Sequence, residues 1–248
     1  VCIIGNEQSV DEFRQMILSS VLFNKIKYFK MNRQKMIIGN FTDSDKEHMY
    51  KAEQWLKDCK GKLQFIELND YSIGNVKKIV KKFSKLNVGM FVFDTLKPEQ
   101  ENSDKAWAEF SEIAKELFML AKKEDVAMVA TAQLSSESMG RRFLDLSCIG
   151  KSRAIAETAT QVVCFRTMSN DEKEKLKPYQ FQKDEHGKYS KVRKVIDLDI
   201  NKDYIILFTP KNRFGETSPQ IVYRRDMSFN TMQEIGYIDI AYDGFKTR

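Results

Sequence analysis

The sequence is poor in metal-binding and redox side chains. It has two histidines, His48 and His186, and four cysteines at positions 2, 59, 148 and 164 with no CxxC pair. Zinc sites need such residues in closely spaced sets, so none can be assembled, and reduced, structural thiols in a cytoplasmic protein are the expectation. Nowhere is there an apolar run of about eighteen residues, nor a signal-peptide pattern at the start, so nothing points to a membrane or to export. No internal repeat is present. A GxxxxGK[ST] phosphate loop is missing too, and GNEQ at positions 5–8 cannot serve as one. The first residues, VCIIGNEQSV, already lie in an apolar run and carry no initiator methionine. They suggest a sequence that begins partway through a domain.

A chain of 248 residues suits one large domain or two small ones and can bury a sizeable core. Its net charge of +6 is a mild basic bias, compatible with a polyanion partner but not diagnostic of one. From VCIIGN onwards, strands and helices alternate. SVDEFRQMILSSVLF has Ser9 as N-cap and Glu12 at the capping-box position, and a second helix is expected from Thr42 or Ser44 through Cys59. LQFIEL reads as a strand, NVKKIVKKFSKL as a helix with Val76, Ile79, Val80 and Phe83 on one face, and VGMFVFD as the next strand. SDKAWAEFSEIAKELFMLAKKED carries an apolar helical stripe, and VAMVATAQ follows as another strand. This rhythm predicts an α/β fold with a mostly parallel sheet covered by helices on both faces.

Beyond Gln133 the pattern weakens. LSSESMGRRFLDLSCIGKSR reads as a long loop system and TQVVCFR as a strand. Residues 168–203 are densely charged with few large apolar side chains, which predicts a solvated insertion or mobile loop. YIILFTPKNRFGETSPQIVYRRDMSFN then places two apolar runs around a glycine-containing connection, a C-terminal β-hairpin.

From Val88 to Phe93 five residues in six are apolar, and the run stops on Asp94. A buried carboxylate needs a cation or metal to offset its desolvation, so Asp94 belongs at a strand end facing positive charge, or else caps the following turn. Glu7 follows the first strand, Gln133 the fourth, and Lys211 with Arg213 the run YIILFTP. Two carboxylates, an amide and two cations at strand ends form a set suited to nucleotide hydrolysis. Each has a plain structural alternative: Glu7 as a helix-start carboxylate, Gln133 as a strand-end polar residue, Lys211 and Arg213 as a solvated turn.

These segments together resemble the C-terminal motor domain of DnaB-type replicative DNA helicases, within the RecA-like ATPases. The resemblance runs through VCIIGNEQSVDEFRQMIL, FVFDTLKP, MVATAQLSS, IGKSRAIAETATQVVCF and ILFTPKNRFGETS, and so covers most of residues 1–248. It implies an ATP- and Mg2+-dependent motor, a hexameric ring moving 5′ to 3′ on single-stranded DNA, a cytoplasmic setting in a bacterium or a phage-infected host, and contacts with a primase and a helicase loader. It also implies roles. Glu7 orients the lytic water, Asp94 holds magnesium through its water shell, and Gln133 couples the γ-phosphate to the DNA loops. Lys211 and Arg213 reach the neighbouring subunit's nucleotide. DNA contacts map to Gly150, Lys151, Ser152 and Arg153, with Arg141 and Arg142 in the loop before. The family has an acidic residue and a glycine where this chain has Lys151 and Arg153. Its phosphate loop, which precedes the glutamate strand, is the part lacking here. Two other functions remain open: a RadA-type recombinase ATPase, and a non-catalytic DNA-binding or loader-interacting module.

Overall fold

The computed structural model describes residues 1–59, 63–70, 72–97, 106–134, 138, 140–149, 153–183, 189–217 and 219–240. The chain divides into two units, one of residues 1–135 and 149–159, the other of 136–148 and 160–248.

In the first unit, strands β1 (Cys2–Gly5), β2 (Gln64–Glu67), β3 (Met90–Asp94) and β4 (Ala127–Ala130) form a parallel sheet in the order β2-β1-β3-β4. Parallel neighbours require crossovers, and helices supply them. Between β1 and β2 lie α1 (Val10–Val21), a π-helical turn at Leu22–Ile26, α2 (Arg33–Ile38) and α3 (Asp43–Asp58). Helix α4 (Ile73–Ser84) joins β2 to β3, α5 (Ala106–Glu124) joins β3 to β4, and the short α6 (Arg153–Thr158) completes the unit. The strands and long helices expected up to Gln133 are therefore present. The π-helical turn and α2 are additions that the sequence pattern does not announce.

Side chains alternate across a strand, which is how one sheet serves two helical layers. Cys2, Ile4, Phe91 and Phe93 are buried with Val76 and Val80 of α4 and Ile113, Leu117 and Leu120 of α5. On the other face, Phe65 stacks on Phe13 of α1 with ring centroids 4.3 Å apart. Gly5 is needed there, since a Cβ would come within 2.9 Å of the Phe65 ring.

Helix starts follow the predicted chemistry. Ser9 and Glu12 form a capping box, in which the Glu12 amide donates to Ser9 Oγ at 3.2 Å and the Ser9 amide to Glu12 Oε2 at 3.0 Å. Thr42 and Asp45 repeat it at α3. Asp45 is fully buried and accepts from Lys35 Nζ (2.6 Å), Tyr28 Oη (2.7 Å), and the Thr42 hydroxyl (2.7 Å) and amide (2.8 Å). Those donors, Lys35 foremost, hold its carboxyl well below the usual carboxylate range.

The second unit is antiparallel. Its strands are β5 (Gln161–Thr167), β6 (Tyr179–Lys183), β7 (Tyr189–Val195), β8 (Asp203–Asn212), β9 (Gln220–Asp226) and β10 (Thr231–Ile238), in the order β5-β8-β9-β10-β6-β7. The expected C-terminal hairpin is β8–β9, embedded in this larger sheet. Residues 168–203, read as a solvated insertion, contain α7 (Asn170–Lys175), β6 and β7. Their charges are partly internal. Glu172 is 3% exposed yet paired in two-pronged fashion with Arg166 at 2.6 and 2.7 Å, and the buried Lys173 ammonium donates to the Ile200 carbonyl at 3.1 Å. Met168, Leu176 and Tyr179 are buried beside them in sequence. A composition count treats such paired charges as solvated, and so misses the order. Gly236 is required where β10 meets β6, because a Cβ there would lie 2.5 Å from the Tyr179 carbonyl oxygen.

Candidate active site

In a parallel sheet all strands end at the same rim, so the polar residues after β1, β3 and β4 converge by topology. Gly5 lies opposite Asp94 and Phe93 opposite Ala130. Beyond these pairs the chain is stitched together. The Asn6 amide donates to the Asp94 carbonyl, Asn6 Nδ2 donates to the Thr95 carbonyl, and the Thr95 amide donates to Asn6 Oδ1, each at 2.9 Å. The Asp94–Thr95 peptide bond between them is cis. From the other side, the Leu96 amide and the Thr95 hydroxyl donate to the Thr131 carbonyl at 2.8 and 3.0 Å. The Thr131 hydroxyl donates to Asp94 Oδ1 at 2.5 Å. Asp94 is thus held at the tip of β3 by groups from both neighbouring strands.

Glu7, one residue past Asn6, pairs with Lys97 at 2.6 Å. Its side chain is 38% exposed and that of Lys97 22%, so the carboxylate sits at the surface of the rim on a partly buried cation. Gln133 lies three residues beyond β4 and is exposed. Glu7 and Asp94 are therefore on adjoining strand ends, with the Gln133 segment leaving the third. Asn6, Thr95, Lys97 and Thr131 are members of the site that sequence reasoning misses. Asn6 and Lys97 stand within GNEQ and DTLKP, but hydrogen-bond partners 89 residues apart leave no local periodicity to read.

Lys211 and Arg213 belong to the second unit. Lys211 is paired opposite Val162 near the end of β8, and the Arg213 amide donates to the Thr160 carbonyl at 3.1 Å. Asn212 shapes the turn by accepting from the Phe214 amide at 3.1 Å and donating to the Glu216 carbonyl at 3.2 Å. Arg213 is exposed there, beside an 86% exposed Phe214. Of the residues expected to meet DNA, Arg141 donates to Ser147 Oγ at 2.6 Å, and Arg142 pairs with Asp171 at 3.3 Å. A half-exposed ion pair of that kind is worth at most about 1 kcal/mol, so it competes weakly with a phosphate. Arg153 opens α6, while Gly150, Lys151 and Ser152 lie outside the described residues.

Among the described residues no group of three or more His, Cys, Asp or Glu is placed to hold a metal, and no helix is long and apolar enough to cross a membrane. Asp94 nevertheless fits magnesium, a hard cation that characteristically takes one or two carboxylates and completes its shell with water and phosphate.

The family model for the DnaB-like helicase C-terminal domain matches residues 1–218. The chain belongs to that family. It is a DnaB-type helicase motor domain, and the solved structures agree in fold. The ATPase domain of a solved helicase superimposes with a TM-score of 0.67 at 15% identity, covering 95% of this chain and 74% of that one. A KaiC-like protein, PH0186 from Pyrococcus horikoshii OT3, gives a TM-score of 0.48 at 14% identity, covering 94% and 75%. No curated protein matches significantly. The RecA-like architecture expected of this DnaB-family chain is thus present, as a four-stranded parallel sheet with its helices and an added antiparallel sheet.

Proposed function

We propose that this domain hydrolyses ATP at subunit interfaces of a ring, hexameric in the resemblance, and uses that cycle to move along single-stranded DNA and unwind duplex. The observation that carries the reading is the rim itself. Asn6 and Thr131 lash the ends of β1, β3 and β4 together so that Glu7 and Asp94 stand on adjoining strands. Asp94, oriented by the Thr131 hydroxyl, presents carboxylate oxygen to magnesium's water shell. When bound, magnesium neutralises charge on the phosphate oxygens. Glu7 orients the attacking water and accepts its proton, while Lys97 holds the Glu7 carboxylate in place. Gln133 senses the γ-phosphate. Lys211 and Arg213, on the ordered β8–β9 turn, act on the nucleotide of the adjoining subunit, where an arginine stabilises charge developing in the transition state. Arg141, Arg142 and residues 150–153 follow DNA phosphates without reading bases. Primase and helicase-loader contacts would attach to such a ring.

The 248 residues contain no phosphate loop, so the test uses the protein as encoded by its gene. Arg213→Ala and Glu7→Gln should each lower DNA-stimulated turnover by on the order of 10³-fold or more, with nucleotide binding still measurable. Mixing the two variants should restore part of the turnover, because some interfaces then receive an intact Glu7 from one subunit and an intact Arg213 from the next. Unchanged turnover in Arg213→Ala removes that residue from the site. Two inactive variants that never complement each other argue against action across the interface.

A further inference from the structure

The far ends of α4 and α5 share the rim opposite Glu7 and Asp94. Each helix runs back along the sheet before the chain enters β3 or β4, so both C-termini lie at the strand starts, about 16 Å of strand away from the candidate active site. Both stop in the same manner. Asn87 and Asp125 adopt left-handed backbone (φ 62 and 52), the Val88 amide donates to the Phe83 carbonyl at 3.1 Å, and the Val126 amide donates to the Ala121 carbonyl at 3.0 Å. The Ser84 hydroxyl then donates to Glu124 Oε2 at 3.0 Å and ties one helix end to the other.

Five exposed lysines surround this junction: Lys81, Lys82 and Lys85 from α4, Lys122 and Lys123 from α5. Helix α4 contains no acidic residue. Among the described residues none of the five is in an ion pair, since Glu116 is taken by Lys77 at 2.7 Å and Glu124 by Ser84. Helix C-termini favour cations in the last turn, which accounts for some of these lysines, but five exceed what two helix ends and the neighbouring Glu124 and Asp125 can neutralise.

We propose that this lysine rim is a second nucleic-acid contact, binding the phosphate backbone of duplex DNA without sequence preference, in addition to the loop of residues 141–153. Ammonium groups on flexible stems suit phosphates as point charges. Single-stranded DNA is bound through aromatic platforms, and the rings here, Phe83 and Phe118, are only partly exposed and lie under Lys82 and Lys122. An anionic membrane would need a broad apolar face beside the cations, and exposed Leu86 and Met119 do not make one.

The test is duplex-DNA binding by the encoded protein over a range of salt concentrations. Compared are wild type and the quintuple change Lys81→Glu, Lys82→Glu, Lys85→Glu, Lys122→Glu and Lys123→Glu. Duplex affinity should fall roughly tenfold or more, and the log–log salt slope should shrink by about 0.9 for each phosphate that is no longer neutralised. Turnover stimulated by single-stranded DNA should stay at the wild-type level. Its retention separates this inference from the catalytic reading, which is tested by turnover alone. Should charge reversal prevent folding, the five alanine changes decide, with the slope expected to move the same way by less. Unchanged duplex affinity and slope overturn the proposal. So does a loss of binding to anionic lipid vesicles with duplex binding intact.

Discussion

In the first unit, four parallel strands have Cys2, Ile4, Phe91 and Phe93 buried against α4 and α5, and the charges stay outside or at strand tips. In the second unit, six antiparallel strands enclose an apolar core around Ile206, Phe208 and Val222, but Arg166, Glu172 and Lys173 are also drawn inside. Burial alone would raise the Glu172 carboxyl, yet Arg166 and the Ser169 amide outweigh it and the net shift is downward. The comparison teaches that hydrophobic pattern carries one unit, while the other depends on a few polar pairings that must all be made.

The sharpest way to break this contrast is Glu172→Ala. It leaves the Arg166 guanidinium, 15% exposed, without its carboxylate, and should cost roughly 3–5 kcal/mol, read as a shifted urea midpoint. A loss below about 1 kcal/mol would put the second unit on the same footing as the first. Two units need not unfold in one transition, so probes in each are required.

Next is Gly236→Ala. Its methyl would press on the Tyr179 backbone, and overpacking of this sort costs roughly 1–3 kcal/mol. The matched change Gly5→Ala should cost less, because the Phe65 ring it meets is a side chain that can yield. Equal losses would mean that strand approach in the second unit is no tighter than ring packing in the first.

The smallest effect concerns Asp45, the buried carboxylate of the first unit. Asp45→Asn should cost about 1–2 kcal/mol near neutral pH. Because the folded carboxyl titrates below its unfolded value of about 3.9, this stabilisation is complete above about pH 5 and fades as the pH falls through that value and beyond. The wild-type advantage in urea midpoint should therefore shrink between about pH 6 and about pH 3. A constant gap would show that the carboxylate's charge contributes nothing.

How legible each feature is depends on the range of the interaction behind it. Ser9 with Glu12 and Thr42 with Asp45 are three residues apart, and both capping boxes are present. The apolar stripe of Val76, Ile79, Val80 and Phe83 faces the core as its spacing implies. Glu7 and Asp94 stand out because a parallel strand ends abruptly on a polar residue, whereas Thr131 and Lys97 carry no such signature. Strands β6 and β7 are hidden because their charges are dense and their apolar residues sparse. Strand β10, with its irregularity between Glu234 and Gly236, has no clean alternation to read.

The order of residues by itself determined the helix caps, the alternation of strand and helix through Gln133, and which polar side chains stand at strand ends, since all of these arise from neighbours a few positions apart. Only tertiary structure decided that Asn6 and Thr131 clasp the chain around Asp94, that Lys97 meets Glu7, and that charged residues near 172 belong inside a sheet. Each depends on bringing distant segments within about 3 Å, where a hydrogen bond or ion pair offsets the loss of water.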